Sequence, residues 1–124
     1  MGKSFRDLFA WQRSIELAVS VYKLTSSFPP SEKFGLSFQL RRASVSVASN
    51  IAEGYGRMTR GEYLQFLGQA RGSNSEVETQ LVIVRAIGMN VGPELMTAES
   101  LTSEVGRLLN GLMKSLRAAP CLKL

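Results

Sequence analysis

The chain has 124 residues, which is the length of one domain, and its hydrophobic content of 44% is enough for a buried core. A charged fraction of 20% excludes a disordered polyelectrolyte, and a net charge of +5 is explained by solubility as readily as by a polyanionic partner. A single cysteine, Cys121, excludes an internal disulfide, and no apolar stretch reaches membrane-spanning length, so we expect a cytoplasmic protein with no signal peptide and no membrane partner.

Apolar residues recur with a helical period in four segments along the chain. The segments are separated by "FPPSEKFG", by the glycines of "EGYGRMT" and by "GMNVGPE", all of which interrupt helices. We therefore predict helices at about residues 5–27, 31–53, 59–87 and 97–117, and a tail at 118–124. Four helices of similar length with short connections predict an all-α fold, an antiparallel up-and-down four-helix bundle that forms a single domain over residues 1–124.

The second and third predicted helices carry polar arcs beside their apolar stripes. These arcs contain mostly short neutral polar groups, which suit a satisfied hydrogen-bond network better than an ordinary solvated face rich in Lys and Glu. We predict that this network holds the bundle and its oligomer together, and we favour that interpretation over a ligand pocket. The predicted network consists of Gln39, Arg42, Ser46, Asn50, Glu53, Ser73 and Glu76.

One side of the third predicted helix carries apolar residues roughly opposite its core stripe. Leu64 and Val82 lie there beside Arg71, and both would be exposed in a monomer. Apolar side chains on the outer side of a bundle helix indicate a subunit interface, although singly exposed leucines are common. These three residues are our predicted oligomer interface.

The stretch "SNIAEGYGRMTRGEYLQF", residues 49–66, has glycines and arginines but lacks the spacing and the preceding strand of a nucleotide-binding loop. We interpret it as helix punctuation, with Gly54 as a left-handed C-cap and Thr59 with Glu62 as a capping box. Arg57 and Arg60 then flank the positive end of the third helix, where an anion or a nucleic acid could be contacted. The alternative is that both arginines simply solvate a turn.

Catalytic, cofactor and metal sites are not predicted. The chain has no histidine, which removes the commonest proton shuttle and a frequent metal ligand. Glu53, Glu62 and Glu76 could meet as carboxylates inside the bundle, but pairing with Arg42 or helix capping is the favoured role for each. The basic residues are scattered, and no dense basic run or platform of interleaved aromatic residues is visible.

Two stretches, "EKFGLSFQLRRASVSVASNIAEGYGR" and "EYLQFLGQARGSNSEVETQL", resemble the 23S ribosomal RNA intervening-sequence proteins. The resemblance extends from Trp11 to about Gly88. It implies a helical bundle that assembles into a cyclic homo-oligomer, a pentamer, and it does not imply an enzyme. A more distant similarity is to the accessory variability determinant of diversity-generating retroelements, a small basic bundle that works with a reverse transcriptase and nucleic acid.

Two hypotheses about function follow. The first is a non-enzymatic, oligomeric bundle whose exposed basic residues bind RNA or another nucleic acid. The second is a purely structural or protein-interaction module, for example a partner of a reverse transcriptase, with no nucleic-acid affinity of its own.

Overall fold

A computed structural model describes residues 3–89 and 92–119 of the chain. The described residues form four α-helices and two short 3-10 helices, and they contain no strand. The α-helices are α1 (Phe9–Thr25), α2 (Leu36–Tyr55), α3 (Arg60–Ala86) and α4 (Glu94–Ala118), and the 3-10 helices are Phe5–Asp7 and Pro30–Glu32. None of the described helices is both long and apolar enough to cross a lipid bilayer.

The four α-helices form the predicted up-and-down bundle. Each helix packs on its neighbours in the chain, and α4 closes the bundle by packing on α1. The backbones of the diagonal pairs, α1 with α3 and α2 with α4, stay further apart, with no Cα atoms within 8 Å of each other among the described residues. Short connections between successive helices make neighbours antiparallel, which confirms the predicted fold class.

All four helices supply fully buried side chains to one hydrophobic core. On α1 the buried line contains Leu17, Val21 and Leu24, while Ile15 and Tyr22 are 37% and 46% exposed. The other helices add Leu40, Ala43, Val47, Ile51, Leu67, Ala70, Val77, Leu81, Val84, Val105, Leu109 and Met113. The core therefore covers one face of each amphipathic helix, as the helical period requires.

The first helix starts later than predicted, at Phe9 rather than near residue 5. Ser4 closes a capping box on the short 3-10 helix, because its Oγ accepts from the Arg6 N–H and its own N–H donates to Asp7, both at 3.0 Å. Leu8 is extended and separates this turn from α1. These capping hydrogen bonds, which apolar periodicity does not predict, therefore form a separate 3-10 turn before α1.

The second helix begins at Leu36 and not at residue 31. Ser31 lies inside the 3-10 helix that follows two prolines, so it does not cap α2. Gly35 takes the N-cap position with a non-helical backbone, φ −104° and ψ −114°. Glu32 supplies the capping acceptor, since its Oε1 accepts from the Leu36 N–H at 3.1 Å.

The turn between α2 and α3 was predicted correctly at one end and wrongly at the other. Gly54 is a buried residue inside α2, and the C-cap is Gly56, with φ −84° and ψ 0°. Gly54 is therefore not a left-handed cap. At the start of α3, Thr59 is the N-cap as predicted, and its Oγ1 accepts from the Glu62 N–H at 3.1 Å. The predicted capping box is only half formed, because the Glu62 carboxylate approaches Arg57 instead of the Thr59 N–H.

The last connection contains the two glycines with positive φ among the described residues, Gly88 at +73° and Gly92 at +69°. These left-handed conformations suit glycine and turn the chain from α3 into α4. The fourth helix starts at Glu94, three residues before the predicted start, with Pro93 at the N-cap. Of the predicted tail, residues 120–124 lie outside the described residues.

Candidate functional site

The α2–α3 turn places Arg57 among acidic and aromatic neighbours. Its Nη1 donates to Glu53 Oε2 at 3.0 Å, and its Nε lies 3.8 Å from Glu62 Oε1. The guanidinium also lies over the Phe66 ring, 5.0 Å from the centroid. Two carboxylates therefore offset the charge of Arg57 in the place where the sequence predicted an anion contact.

Arg60, the other residue of the predicted anion contact, reaches the end of α4. Its Nη1 donates to the carbonyl oxygens of Ala119 at 2.8 Å and Leu116 at 3.3 Å. A cation that donates to the last carbonyls of a helix stabilises that helix end. Arg60 thus joins the start of α3 to the end of α4, and an anion contact by Arg57 and Arg60 stays a prediction.

The predicted polar network contains one continuous cluster between α2 and α3. The Oγ atoms of Ser46 and Ser73 are 2.9 Å apart and join the two helices. Asn50 Nδ2 donates back to Ser46, to the carbonyl oxygen at 2.9 Å and to Oγ at 3.0 Å. These three residues lie together as expected and hold α2 against α3.

The remaining members of the predicted network lie apart from that cluster. Arg42 approaches Glu76 across the same helix pair, with 3.9 Å between Nη2 and Oε1. Glu53 pairs with Arg57 at the end of α2 and not with Arg42, the predicted partner. Gln39 is exposed, and its side chain makes no hydrogen bond within residues 3–89 and 92–119.

A buried polar pair between α3 and α4 was missed from the sequence. Asn74 Nδ2 donates to the Thr102 carbonyl oxygen at 3.0 Å, and Thr102 Oγ1 donates to Asn74 Oδ1 at 2.8 Å. Both side chains are almost fully buried. The available signal was the spacing of Asn74, which falls on the core stripe four residues after Ala70 and three before Val77.

The three residues of the predicted oligomer interface differ in their exposure to solvent. Leu64 was expected to be exposed, but it is partly buried and packs against the core, so that expectation was wrong. Arg71 is exposed and donates to Asn110 Oδ1 at 3.1 Å. Val82 is 62% exposed, with Ile83 and Ile87 exposed nearby in the sequence. A subunit contact through Val82 and Arg71 remains a prediction.

A concave surface lies between the end of α1 and the start of α2. This α1–α2 groove has a volume of about 690 Å³ and is open to solvent. Three partly exposed aromatic side chains line it: Phe34 is 84% exposed, Phe38 53% and Tyr22 46%. The complete lining is Tyr22, Thr25, Ser26, Phe28, Pro29, Pro30, Lys33, Phe34, Ser37, Phe38, Arg41, Arg42 and Val45.

Three cations and no described Asp or Glu line the α1–α2 groove. Arg41 lies over the Tyr22 ring, 4.5 Å from the centroid, and its Nε donates to Thr25 Oγ1 at 2.7 Å. Lys33 Nζ is 5.5 Å from the centroid of Phe34. Within the described part of the chain neither Lys33 nor Arg41 forms an ion pair, and Arg42 has the single long contact to Glu76.

The combination of aromatic rings and cations in this groove was not predicted from the sequence. Tyr22 comes from α1, whereas Phe34, Phe38 and the cations come from residues 33–42, so folding is required to bring them together. A partial signal was available in "KFGLSFQLRR", which contains two phenylalanines and three cations in ten residues. From the sequence, only Gln39 and Arg42 of this stretch were placed in a candidate site, the polar network.

The described residues hold no group of three or more side chains that could ligate a metal ion. The pKa of Glu99 is lowered because Arg85 donates to it in a bidentate pair at 2.7 and 2.8 Å. Burial, reinforced by the neighbouring phenol of Tyr55, raises the pKa of Tyr63 to about 12. These shifts belong to contacts between helices rather than to the α1–α2 groove.

A protein-family model described as the 23S rRNA-intervening sequence protein matches residues 6–111. The chain belongs to this family. The match includes every residue of the α1–α2 groove and of the α2–α3 polar cluster, and it extends beyond the region of the sequence resemblance at both ends. The family assignment made from the sequence is therefore confirmed.

The bundle is also similar to a solved structure from Bacteroides thetaiotaomicron, described as a protein with unknown function from the S23 ribosomal protein family. The two share 22% identity with a TM-score of 0.74, over 85% of this chain and 98% of the other. At that identity the similarity supports the fold alone. No functionally curated protein matches the chain significantly in sequence.

Proposed function

We propose that the protein is a non-enzymatic helical bundle that binds nucleic acid through the cations of the α1–α2 groove. One observation carries the proposal: Lys33, Arg41 and Arg42 line one concave surface that no described Asp or Glu shares. In a chain of net charge +5, this concentrates positive potential where a phosphate backbone can approach.

Three arginines outside the groove are paired with carboxylates. Arg13 pairs with Glu104 at 3.1 Å, Arg85 with Glu99 at 2.7 Å and Arg57 with Glu53 at 3.0 Å. Exposed pairs of this kind contribute little to stability, but they cancel charge locally. Lys33 and Arg41, which form no ion pair among the described residues, are better placed to gain from a phosphate.

The family and the chemistry of the chain support a binding role rather than a catalytic one. The family name refers to 23S rRNA, which places RNA first among the nucleic acids to test. The absence of histidine removes the commonest general base. One cysteine in 124 residues suits the reducing cytoplasm, where we place the protein.

The salt dependence of RNA binding tests the proposal. Three phosphate contacts on a single strand correspond to a slope of about −2 for log Kobs against log salt concentration. Changing Lys33→Gln and Arg42→Gln together is expected to weaken binding and to make the slope shallower by about 1.4. The measurement is fluorescence anisotropy of a labelled RNA at several salt concentrations.

The matched control is Arg107→Gln with Lys114→Gln, which removes the same charge from exposed residues of α4. Its slope should remain close to that of the unmodified protein. Equal effects of the two double variants would mean that net charge, and not the groove, determines binding. No binding of any RNA at low salt would refute the proposed function.

Self-association is a second proposal, supported by exposed apolar residues away from the groove cations. Val19 on α1 is 50% exposed. A further apolar surface is formed by Val82 on α3 and by Ile87 at the C-cap of that helix. We propose that such surfaces join copies of the chain into a ring, a pentamer. Light scattering after size exclusion should then give five times the 13.6 kDa of one chain, whereas 13.6 kDa would refute it.

A further inference from the structure

The aromatic rings of the α1–α2 groove are more exposed than their size would lead one to expect. Phe34 lies in the turn before α2 and is 84% exposed, and Phe38 lies in the first turn of α2 and is 53% exposed. Leaving large apolar rings in water forgoes the free energy of burying them. Two such rings four residues apart on one concave surface indicate that a partner covers them.

The cations beside these rings restrict the chemistry of that partner. Lys33 and Arg41 each lie within 5.5 Å of an aromatic centroid of the groove, and Arg42 lines the same surface. A partner of complementary charge is negative, because the lining contains no described Asp or Glu and only Arg42 has an acidic neighbour, Glu76 at 3.9 Å. It must also present flat apolar faces to cover Phe34 and Phe38.

We propose that the groove binds single-stranded nucleic acid, with unpaired bases stacked on Phe34 and Phe38 and phosphates held by Lys33, Arg41 and Arg42. This inference rests on the proposed function and specifies which form of nucleic acid is bound. Groups with both flat faces and regular negative charge are the components of a nucleic-acid strand, and aromatic rings with cations are the usual platform for it.

A single strand fits this surface better than a duplex. In a duplex the faces of the bases are covered by their neighbours in the stack, so exposed rings gain nothing from them. One face of Tyr22 is already taken by the Arg41 guanidinium at 4.5 Å. Phe34 and Phe38 are the more exposed rings, at 84% and 53%, although Lys33 Nζ lies 5.5 Å from the Phe34 centroid on one side. We assign these two rings to stacking, and Arg41 is held in place for phosphate.

The test compares three probes with two variants. The probes are a short unstructured RNA, the same sequence as a duplex, and inorganic polyphosphate, which has charge but no bases. The variant is Phe34→Ala with Phe38→Ala. The control is Phe9→Ala with Met96→Ala, two side chains that are each 67% exposed and lie outside the groove lining.

The groove variant should bind the single strand at least about tenfold more weakly than the unmodified protein, since each stacked base contributes substantially. Its affinity for polyphosphate and its salt slope should not change, and the control should bind all probes normally. The unmodified protein should prefer the single strand to the duplex. An aminopurine base in the strand should lose fluorescence on binding, and less so with the variant.

Phe34→Leu with Phe38→Leu keeps apolar volume and removes the flat rings, so it should also lose single-strand affinity even if the alanine variant folds poorly. Unchanged single-strand affinity in these variants, with normal binding by the unmodified protein, overturns stacking and leaves the proposed function intact. A smaller assembly with unchanged RNA affinity also overturns it, because the rings would then contact a second copy. No binding of RNA by the unmodified protein refutes both.

Discussion

At Gly54 the backbone of α2 lies so close to α3 that a β-carbon would have no room. A Cβ built there would be 2.8 Å from Phe66 Cβ and 3.2 Å from Tyr63 Cδ1. Such distances force a neighbour to move, and these neighbours are a β-carbon and a half-buried ring. Glycine at this position therefore serves close helix packing, not the end of the helix.

Gly54→Ala is expected to destabilise the bundle by about 1–3 kcal/mol, because it overpacks the α2–α3 contact. The control is Gly111→Ala on α4, where an added Cβ meets nothing within 4 Å. That change should stabilise by roughly 0.5–1 kcal/mol through helix propensity. Urea unfolding followed by circular dichroism measures both, and a neutral Gly54→Ala would contradict the close contact.

Tyr63 is expected to titrate later than an ordinary tyrosine, with a pKa of about 12, because burial disfavours the phenolate. In the unfolded chain the same phenol titrates at about 10. The stability that it contributes is therefore complete below pH 10 and is lost as the pH rises towards 12. Phenolate absorbance should contain a late titration step near pH 12 that is absent in Tyr63→Phe; the lack of such a step in the unmodified protein would contradict burial.

Among the helices, α3 and α4 are joined by the buried Asn74–Thr102 pair, whose two side-chain hydrogen bonds are 3.0 and 2.8 Å long. A satisfied polar pair in an apolar core fixes the register of the two helices, because any shift leaves buried groups unpaired. Gly106 adds to this packing, since a Cβ there would be 3.3 Å from Asn74 Nδ2.

Asn74→Ala and Thr102→Val are each expected to cost about 1–3 kcal/mol, because each leaves a buried partner unsatisfied. Their combination should cost less than the sum, with a coupling energy of about 0.5–3 kcal/mol. Thr79→Val, at an exposed residue of α3, should change stability by less than about 0.5 kcal/mol. Strictly additive effects of the first two substitutions would show that the pair does not act as a unit.

For the helices, the sequence predicted the features that depend on apolar periodicity. It misplaced the helix starts, which depend on local hydrogen bonds. Apolar spacing predicted the four helices and the buried faces of Leu40, Val47 and Val77. The starts of α1 and α2 were misplaced because Ser4 and Glu32 bond to nearby N–H groups, a choice that spacing does not encode. Leu64 was misplaced because its helix packs along a wider arc than a single stripe.

Across the whole molecule, the distribution of charge differs between the two ends of α2. At its C-terminal end Arg57 is balanced by Glu53 and Glu62, whereas at its N-terminal end three cations line the α1–α2 groove without a described Asp or Glu. The sequence predicted an anion contact at the C-terminal end because Arg57 and Arg60 flank the start of α3 there. It did not predict the groove, since Tyr22 approaches residues 33–42 only when α1 and α2 fold together.

The most direct test of the account is ultraviolet crosslinking of the protein to a short single-stranded RNA, followed by trypsin digestion and mass spectrometry. Cleavage after Lys33 and Arg41 releases the peptide of residues 34–41, which carries both exposed phenylalanines. We predict that nucleotide adducts concentrate on this peptide and disappear in Phe34→Ala with Phe38→Ala. Adducts on residues 58–71 instead, or spread evenly over the four helices, would contradict binding at the α1–α2 groove.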